Sequence, residues 1–283
     1  MTLLVFIRLV HFSCVLVLLG VSLFRPLLVS EPRQLASLRR GMDPWLCMLA
    51  LLGFLTSIGW LLATAAQMTG DWHTGVQAQT LRTLLSDTFF GRVWAVHVVL
   101  CLIQLIYWRI PGWRSHTPAL AIATLVVATL APVGHGAMFS GLPGALLILN
   151  QLLHLVCVAA WLGALLLLLW LQLRPNGLDP RQLLARFSGY GWVLVAGILV
   201  TGAVNLRAIS GSFWPTGSAF ALVFAVKAVL VAAMLLLAWY NRKAHASASL
   251  ARLRTSVAAE FACGLAAVAA VSLLGTMAPV PVN

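Results

Sequence analysis

Apolar runs of about 20 residues recur along the whole chain, the length a helix needs to cross roughly 30 Å of hydrocarbon. They are continuous rather than alternating, so each segment must satisfy its own backbone N–H and C=O groups, which excludes a β-barrel. Charge is too scarce for a water-soluble domain: residues AVILMFWYC make up 61 % of the 283 and DEKR only 8 %. The expected fold is therefore an all-α integral membrane protein. Eight spans are expected, near 3–24, 44–66, 89–108, 118–134, 145–172, 183–206, 217–240 and 256–277. Pro26, Pro44, Pro111, Gly112, Pro175 and Gly177 punctuate the links. Arg8 interrupts the first run and no A-x-A site follows, so this segment reads as a retained helix rather than a signal peptide.

A formal charge of +12 would suit nucleic acid if it formed a patch. Instead, thirteen of the 18 basic residues fall in alternate connections: Arg25, Arg33, Arg39 and Arg40; Arg109 and Arg114; Arg174, Arg181 and Arg186; Arg242, Lys243, Arg252 and Arg254. The opposite side holds Arg8, Arg82, Arg92 and Arg207, and Lys227 lies within a span. The positive-inside rule then puts the first set in the cytoplasm and both termini in the periplasm. The implied partner is the lipid bilayer, and nucleic acid is excluded. All five cysteines lie in apolar segments without a C-x-x-C pair, so no disulfide framework is expected.

The chain repeats itself. Leu9-Val10-His11-Phe12-Ser13-Cys14-Val15 matches Leu152-Leu153-His154-Leu155-Val156-Cys157-Val158, and each continues into Leu-Gly, at Gly20 and Gly163. Val93-Trp94-Ala95-Val96-His97 matches Val223-Phe224-Ala225-Val226-Lys227. Thr129-Leu130-Ala131-Pro132-Val133 matches Thr276-Met277-Ala278-Pro279-Val280, and Leu55-Thr56 weakly matches Val200-Thr201. Two four-helix repeats are expected, 1–140 and 141–283, parallel and related by a pseudo-two-fold axis along the membrane normal.

His11, His97 and His154 each sit eight or nine residues from the outer end of a span, about 12–14 Å deep at 1.5 Å per residue. His135 caps the fourth span nearer the surface. A single such histidine is a packing residue bonded to a neighbouring carbonyl; three at one level point to a metal or haem site. Each deep histidine has a cysteine one turn further in, Cys14, Cys101 and Cys157, on the same helix face. Imidazole followed by thiol suits a soft cuprous ion, and Met138 offers a thioether near the outer surface. Lys227 stands where the first repeat has His97, so the second half lacks a full copy of the site. One shared site across the pseudo-axis, built on His11 and His154, is the simplest expectation.

These residues resemble the copper resistance protein D (CopD) family of bacterial inner-membrane proteins. Gly134-His135-Gly136-Ala137 is similar to its GHAA element, with Gly in third place, and His154 through Trp161 and Gly163 to its L-H-x-x-x-x-x-W-x-G helix. Arg186-Phe187-Ser188, Lys227, Asn241-Arg242 and Glu260 match further positions in order, whereas His97 stands where the family suggests Arg. The resemblance implies copper handling at the inner membrane beside a periplasmic CopC-like copper-binding protein, either copper uptake or, in some relatives, a b-type cytochrome that reduces copper.

Three functions remain open on the residues. A copper transporter would collect the ion at His135 and Met138 and pass it to His11, His97 and His154 with their cysteines. A cytochrome would hold haem b between His11 and His154 with Arg8 and Arg92 at the propionates, and take electrons from a donor such as a quinol. A receptor for a periplasmic copper chaperone would use the outer loops 67–88 and 133–144.

Overall fold

The computed structural model describes residues 2–110, 115–134, 139–174, 178–244 and 248–277. Among them the chain forms ten helices and no strand: α1 (Thr2–Leu28), α2 (Pro32–Thr69), α3 (Trp72–Gly75), α4 (Ala78–Asp87), α5 (Phe89–Arg109), α6 (His116–Ala128), α7 (Gly141–Leu173), α8 (Pro180–Ser210), α9 (Ala219–Ala244) and α10 (Leu250–Leu274).

Seven of these helices are long and apolar enough to cross a membrane, one fewer than expected; α6 is apolar but only 13 residues long. The physical cause is Pro132. It has no N–H and its ring would crowd the Ala128 carbonyl, so regular helix ends at Ala128. The chain continues as tight turns, with Leu130, Ala131 and Val133 N–H donating to the carbonyls three residues back.

α2 starts twelve residues earlier than expected. Pro32 opens it, where a missing N–H costs nothing, and Gly70 closes it in the left-handed region at φ 75°. Pro44, read above as a boundary, lies inside it. The extension is fastened to the end of α1 by an Arg25–Asp43 ion pair of 2.8 Å, both partners under a tenth exposed. Arg25 is thus a buried helix residue, not a loop charge. The connection between α2 and α5 carries two short helices. Asp71 caps α3, accepting from the Thr74 N–H at 2.8 Å and its hydroxyl at 3.1 Å, which holds this carboxyl below the usual carboxylate range.

α1 and α7 form the inner pair: 61 % of the apolar window is buried in each, against 17–39 % in the other five spanning helices. They cross at the two repeated glycines. A Cβ on Gly20 would lie 1.8 Å from the Ala159 carbonyl oxygen, and one on Gly163 2.4 Å from the Gly20 Cα. Only bare backbone lets the axes approach this closely. α2 and α6 pack on α1, and α8 and α10 on α7. α5 lies firmly against α2, whereas α9 packs on α10 and touches α8 only sparsely.

Candidate metal centre

His11 on α1 and His97 on α5 are both fully buried, and their Nε2 atoms lie 2.9 Å apart. The other nitrogen of each ring fixes its tautomer. His11 Nδ1 lies 3.1 Å from the Gly53 carbonyl, which has no hydrogen to give, so Nδ1 is the donor. The same nitrogen meets Thr56 Oγ1 at 3.0 Å, and that hydroxyl already donates to the Leu52 carbonyl at 2.6 Å. His97 Nδ1 lies 2.7 Å from Thr129 Oγ1, whose hydrogen goes to the Val126 carbonyl at 2.7 Å. When the Thr129 hydroxyl donates to the Val126 carbonyl, both Nδ1 atoms carry hydrogen and both Nε2 atoms present lone pairs to each other.

Two lone pairs facing at 2.9 Å repel unless something positive lies between them. Cys101, one turn below His97, puts Sγ 3.4 Å from His97 Nε2. His11, His97 and Cys101 offer two imidazole nitrogens and one sulfur, all within 4.8 Å of one another. The Cys101 thiol can offer a proton to His97 Nε2. Metal bonds to imidazole and thiolate run about 2.0–2.3 Å, within reach of one ion in this space. Ligating histidines usually donate the second ring N–H to an oxygen, and both do so here. Neutral nitrogen with soft sulfur suits Cu(I) or Zn(II) more than a hard cation.

The walls are aromatic. Trp94 stacks on His97 at 4.5 Å between ring centres, and Trp60 meets His11 edge-on at 5.7 Å. Trp94 is itself fixed, its Nε1–H donating to the Ser57 carbonyl at 2.9 Å. His11, His97 and Cys101 are all buried, so a cation here would be shielded from bulk solvent.

The remaining expected residues lie elsewhere. His154, expected to share a site with His11, donates from Nδ1 to Thr201 Oγ1 at 2.9 Å on α8 and lines a separate cavity. His11 turns instead toward α2 and α5 of its own half. Cys14 packs beside Gly53 and Cys157 beside Gly197, each against the neighbouring helix of its own half and neither within the cluster. Arg8 lies over Trp60 at 4.5 Å, whereas Arg92 is exposed and donates to the Ser86 carbonyl at 3.2 Å. His135 and Met138 lie outside the described residues.

Haem b does not fit this arrangement. Two axial bonds of about 2 Å would hold the nitrogens roughly 4 Å apart across a macrocycle. His11 and His97 stand at 2.9 Å, with Trp94 and Trp60 filling the flanks. The cavity beside His154 offers no second imidazole among its described lining.

A family model described as copper resistance protein D-like, N-terminal domain, matches residues 1–145, and a second, copper resistance protein D, matches residues 181–274. The chain belongs to the copper resistance protein D family. The inner membrane protein YebZ of Escherichia coli K12 is 29 % identical over 240 residues, covering 83 % of this chain and 82 % of its own. The copper resistance protein D of Pseudomonas syringae pv. tomato is 25 % identical over 300 residues, covering 96 % of each. No solved structure matches the chain. Like YebZ, this CopD-family chain is a multi-pass inner-membrane protein, implicated by its family in copper resistance.

Within this CopD-family chain the threonines were missed as site residues. Thr56, Thr129 and Thr201 each accept from a histidine Nδ1–H while bonding a carbonyl of their own helix. Gly53, Val126 and Ile198, each three residues before its threonine, turn their carbonyls to the same rings. The signal was present: Thr56 repeats as Thr201 and Thr129 as Thr276, matches that served only to align the repeats. Trp60 has no such signal, because its contact with His11 depends on how α1 and α2 rotate against each other.

Proposed function

We propose that the protein moves Cu(I) into or across the inner membrane, with His11, His97 and Cys101 as an intramembrane copper station. The observation that carries this reading is two buried imidazole Nε2 atoms 2.9 Å apart with a thiol 3.4 Å from one of them. The name of the Pseudomonas relative and both family models supply the choice of copper over zinc. A periplasmic CopC-like protein is the donor we propose, docking on the outer loop where Trp72 and His73 are exposed.

Eight crossings in two parallel four-helix repeats, with periplasmic termini, are part of this proposal. Three features support it. The α6 segment gains about 10 Å from its terminal turns at roughly 2 Å per residue, bringing it near membrane thickness. The repeated glycines meet at the α1–α7 crossing. The repeated His–Thr pairs, His11 with Thr56 and His154 with Thr201, have the same hydrogen bond. Basic residues in alternate connections support the orientation.

The test is an anaerobic Cu(I) titration of purified protein against a chromophoric competitor, with X-ray absorption on the loaded sample. We expect a single ion bound by nitrogen and sulfur, lost in His11→Ala and in His97→Ala alike. Full Cu(I) binding by either variant overturns the station. Cellular uptake of radioactive copper, reduced in the same variants, separates passage from storage.

A further inference from the structure

A cavity of about 240 Å³ lies among α1, α7, α8, α9 and α10, on the side where α8 and α9 barely touch. It is mostly apolar, and its polar lining includes Lys227, Arg8, His154, Asn205 and Gln151. That lining includes two cations and, among the described residues, no carboxylate. Glu260, the buried acid of α10, is held elsewhere, its Oε2 accepting from Asn241 Nδ2 at 2.9 Å.

The repeat explains why space opens here. His97 of the first half corresponds to Lys227, and Trp94 to Phe224. Counting on from the Thr56–Thr201 match, Trp60 corresponds to Asn205. The two indoles that wall the metal centre thus become smaller side chains, and all three replacements line the cavity. The ligand nitrogen has become an ammonium, which repels a metal cation. The amides bond one another, Asn205 Nδ2 donating to Gln151 Oε1 at 2.7 Å and Asn150 Nδ2 to Asn205 Oδ1 at 2.9 Å, and being neutral they bring no counter-charge. Ammonium and guanidinium groups in an apolar chamber at membrane depth are costly without a counter-charge.

We propose that this cavity binds a carboxylate carried on a single apolar chain, such as a fatty-acid anion, with its head at Lys227 and its tail along the apolar lining. The anion supplies the counter-charge that the described lining does not, and the apolar lining suits the chain of a molecule that dissolves in the bilayer. The correspondence of Lys227 with His97 rests on the repeat proposed above; the cavity and its charge do not.

The experiment is native mass spectrometry of the whole protein in a non-ionic detergent, with laurate and dodecanol as probes. We expect one laurate per chain and at least tenfold weaker dodecanol. Lys227→Met should lose laurate at least tenfold and Lys227→Arg restore it, with Cu(I) binding unchanged in both. Equal binding of dodecanol, or of laurate by Lys227→Met, overturns the proposal. Displacement of laurate by chloride or phosphate alone also overturns it, because it would mean a site for small anions. Loss of copper binding in the His11 or His97 variants has no bearing on these readouts, so the two proposals fail separately.

Discussion

Replacing Thr129 by Val keeps the shape of the side chain and removes the oxygen that accepts from His97 Nδ1–H at 2.7 Å. Without that acceptor the metal-free ring can move its hydrogen to Nε2 and donate to His11 Nε2, relieving the two facing lone pairs. Copper then binds only if the hydrogen returns to an Nδ1 that has lost its partner. A buried donor left without an acceptor costs about 1–3 kcal/mol, which at about 1.36 kcal/mol per decade lowers Cu(I) affinity between about fivefold and 150-fold. The Val126 carbonyl, which already faces the ring and is released from the Thr129 hydroxyl, sets the lower bound by taking more of the Nδ1 hydrogen bond. Thr56→Val is the internal comparison. His11 Nδ1–H keeps the Gly53 carbonyl at 3.1 Å, so the loss should stay below about threefold, or roughly 0.6 kcal/mol. Anaerobic competition titrations of the two variants beside the wild type measure both numbers. Equal effects, or wild-type affinity in Thr129→Val, would refute the assignment of tautomers on which the metal centre is built.

Other consequences follow from the same contacts. Gly20→Ala pushes a methyl against the Ala159 carbonyl at 1.8 Å; overpacking of this kind costs about 1–3 kcal/mol, so the thermal midpoint in detergent should fall, and an unchanged midpoint would refute the close crossing. Asp43→Asn leaves Arg25 buried without its 2.8 Å partner and should destabilise by about 3–5 kcal/mol, whereas Arg25→Met with Asp43→Leu should recover most of the loss; chemical unfolding measures both. The Asp71 carboxyl has a lowered folded-state pKa, so its cap on α3 holds above the usual carboxylate range and is lost as pH falls through the lowered value. Amide exchange at Thr74 should accelerate only under that acid condition; acceleration already at pH 6 would refute the cap.

The sequence conveyed the class of fold and the level of the site more fully than its partners. Long unbroken apolar runs leave no alternative to helices, and His11 and His97, expected at one depth, are neighbours in the fold. The pairing went astray because symmetry suggested His11 with His154, while contact depends on the rotation of each helix about its axis. The contact between α1 and α7 falls at Gly20 and Gly163, nine residues further along each helix, and there backbone meets backbone without a polar side chain. Gly20 and Gly163 were visible as repeated letters, and their meaning as a crossing was not. The same limit applies to the cysteines: one-turn spacing placed each beneath its histidine, yet only Cys101 turns its sulfur to the cluster. At α6 a run of apolar letters gave no warning that Pro132 would end the regular helix at Ala128.

The central position of α1 also governs the order of assembly. Its main neighbour α7 begins at Gly141, more than a hundred residues after α1 ends at Leu28. At about 5–20 residues per second of synthesis, α1 waits roughly 6–25 s in the bilayer before that partner exists. During the wait its Gly20 face has lipid, the insertion machinery or the earlier helices, α2 and then α6, to cover it. The first helix made is therefore the last to reach its final surroundings. A ribosome stalled before α7 should leave a product whose α1 can still be reached by a membrane-soluble crosslinker and becomes shielded only when the second half emerges.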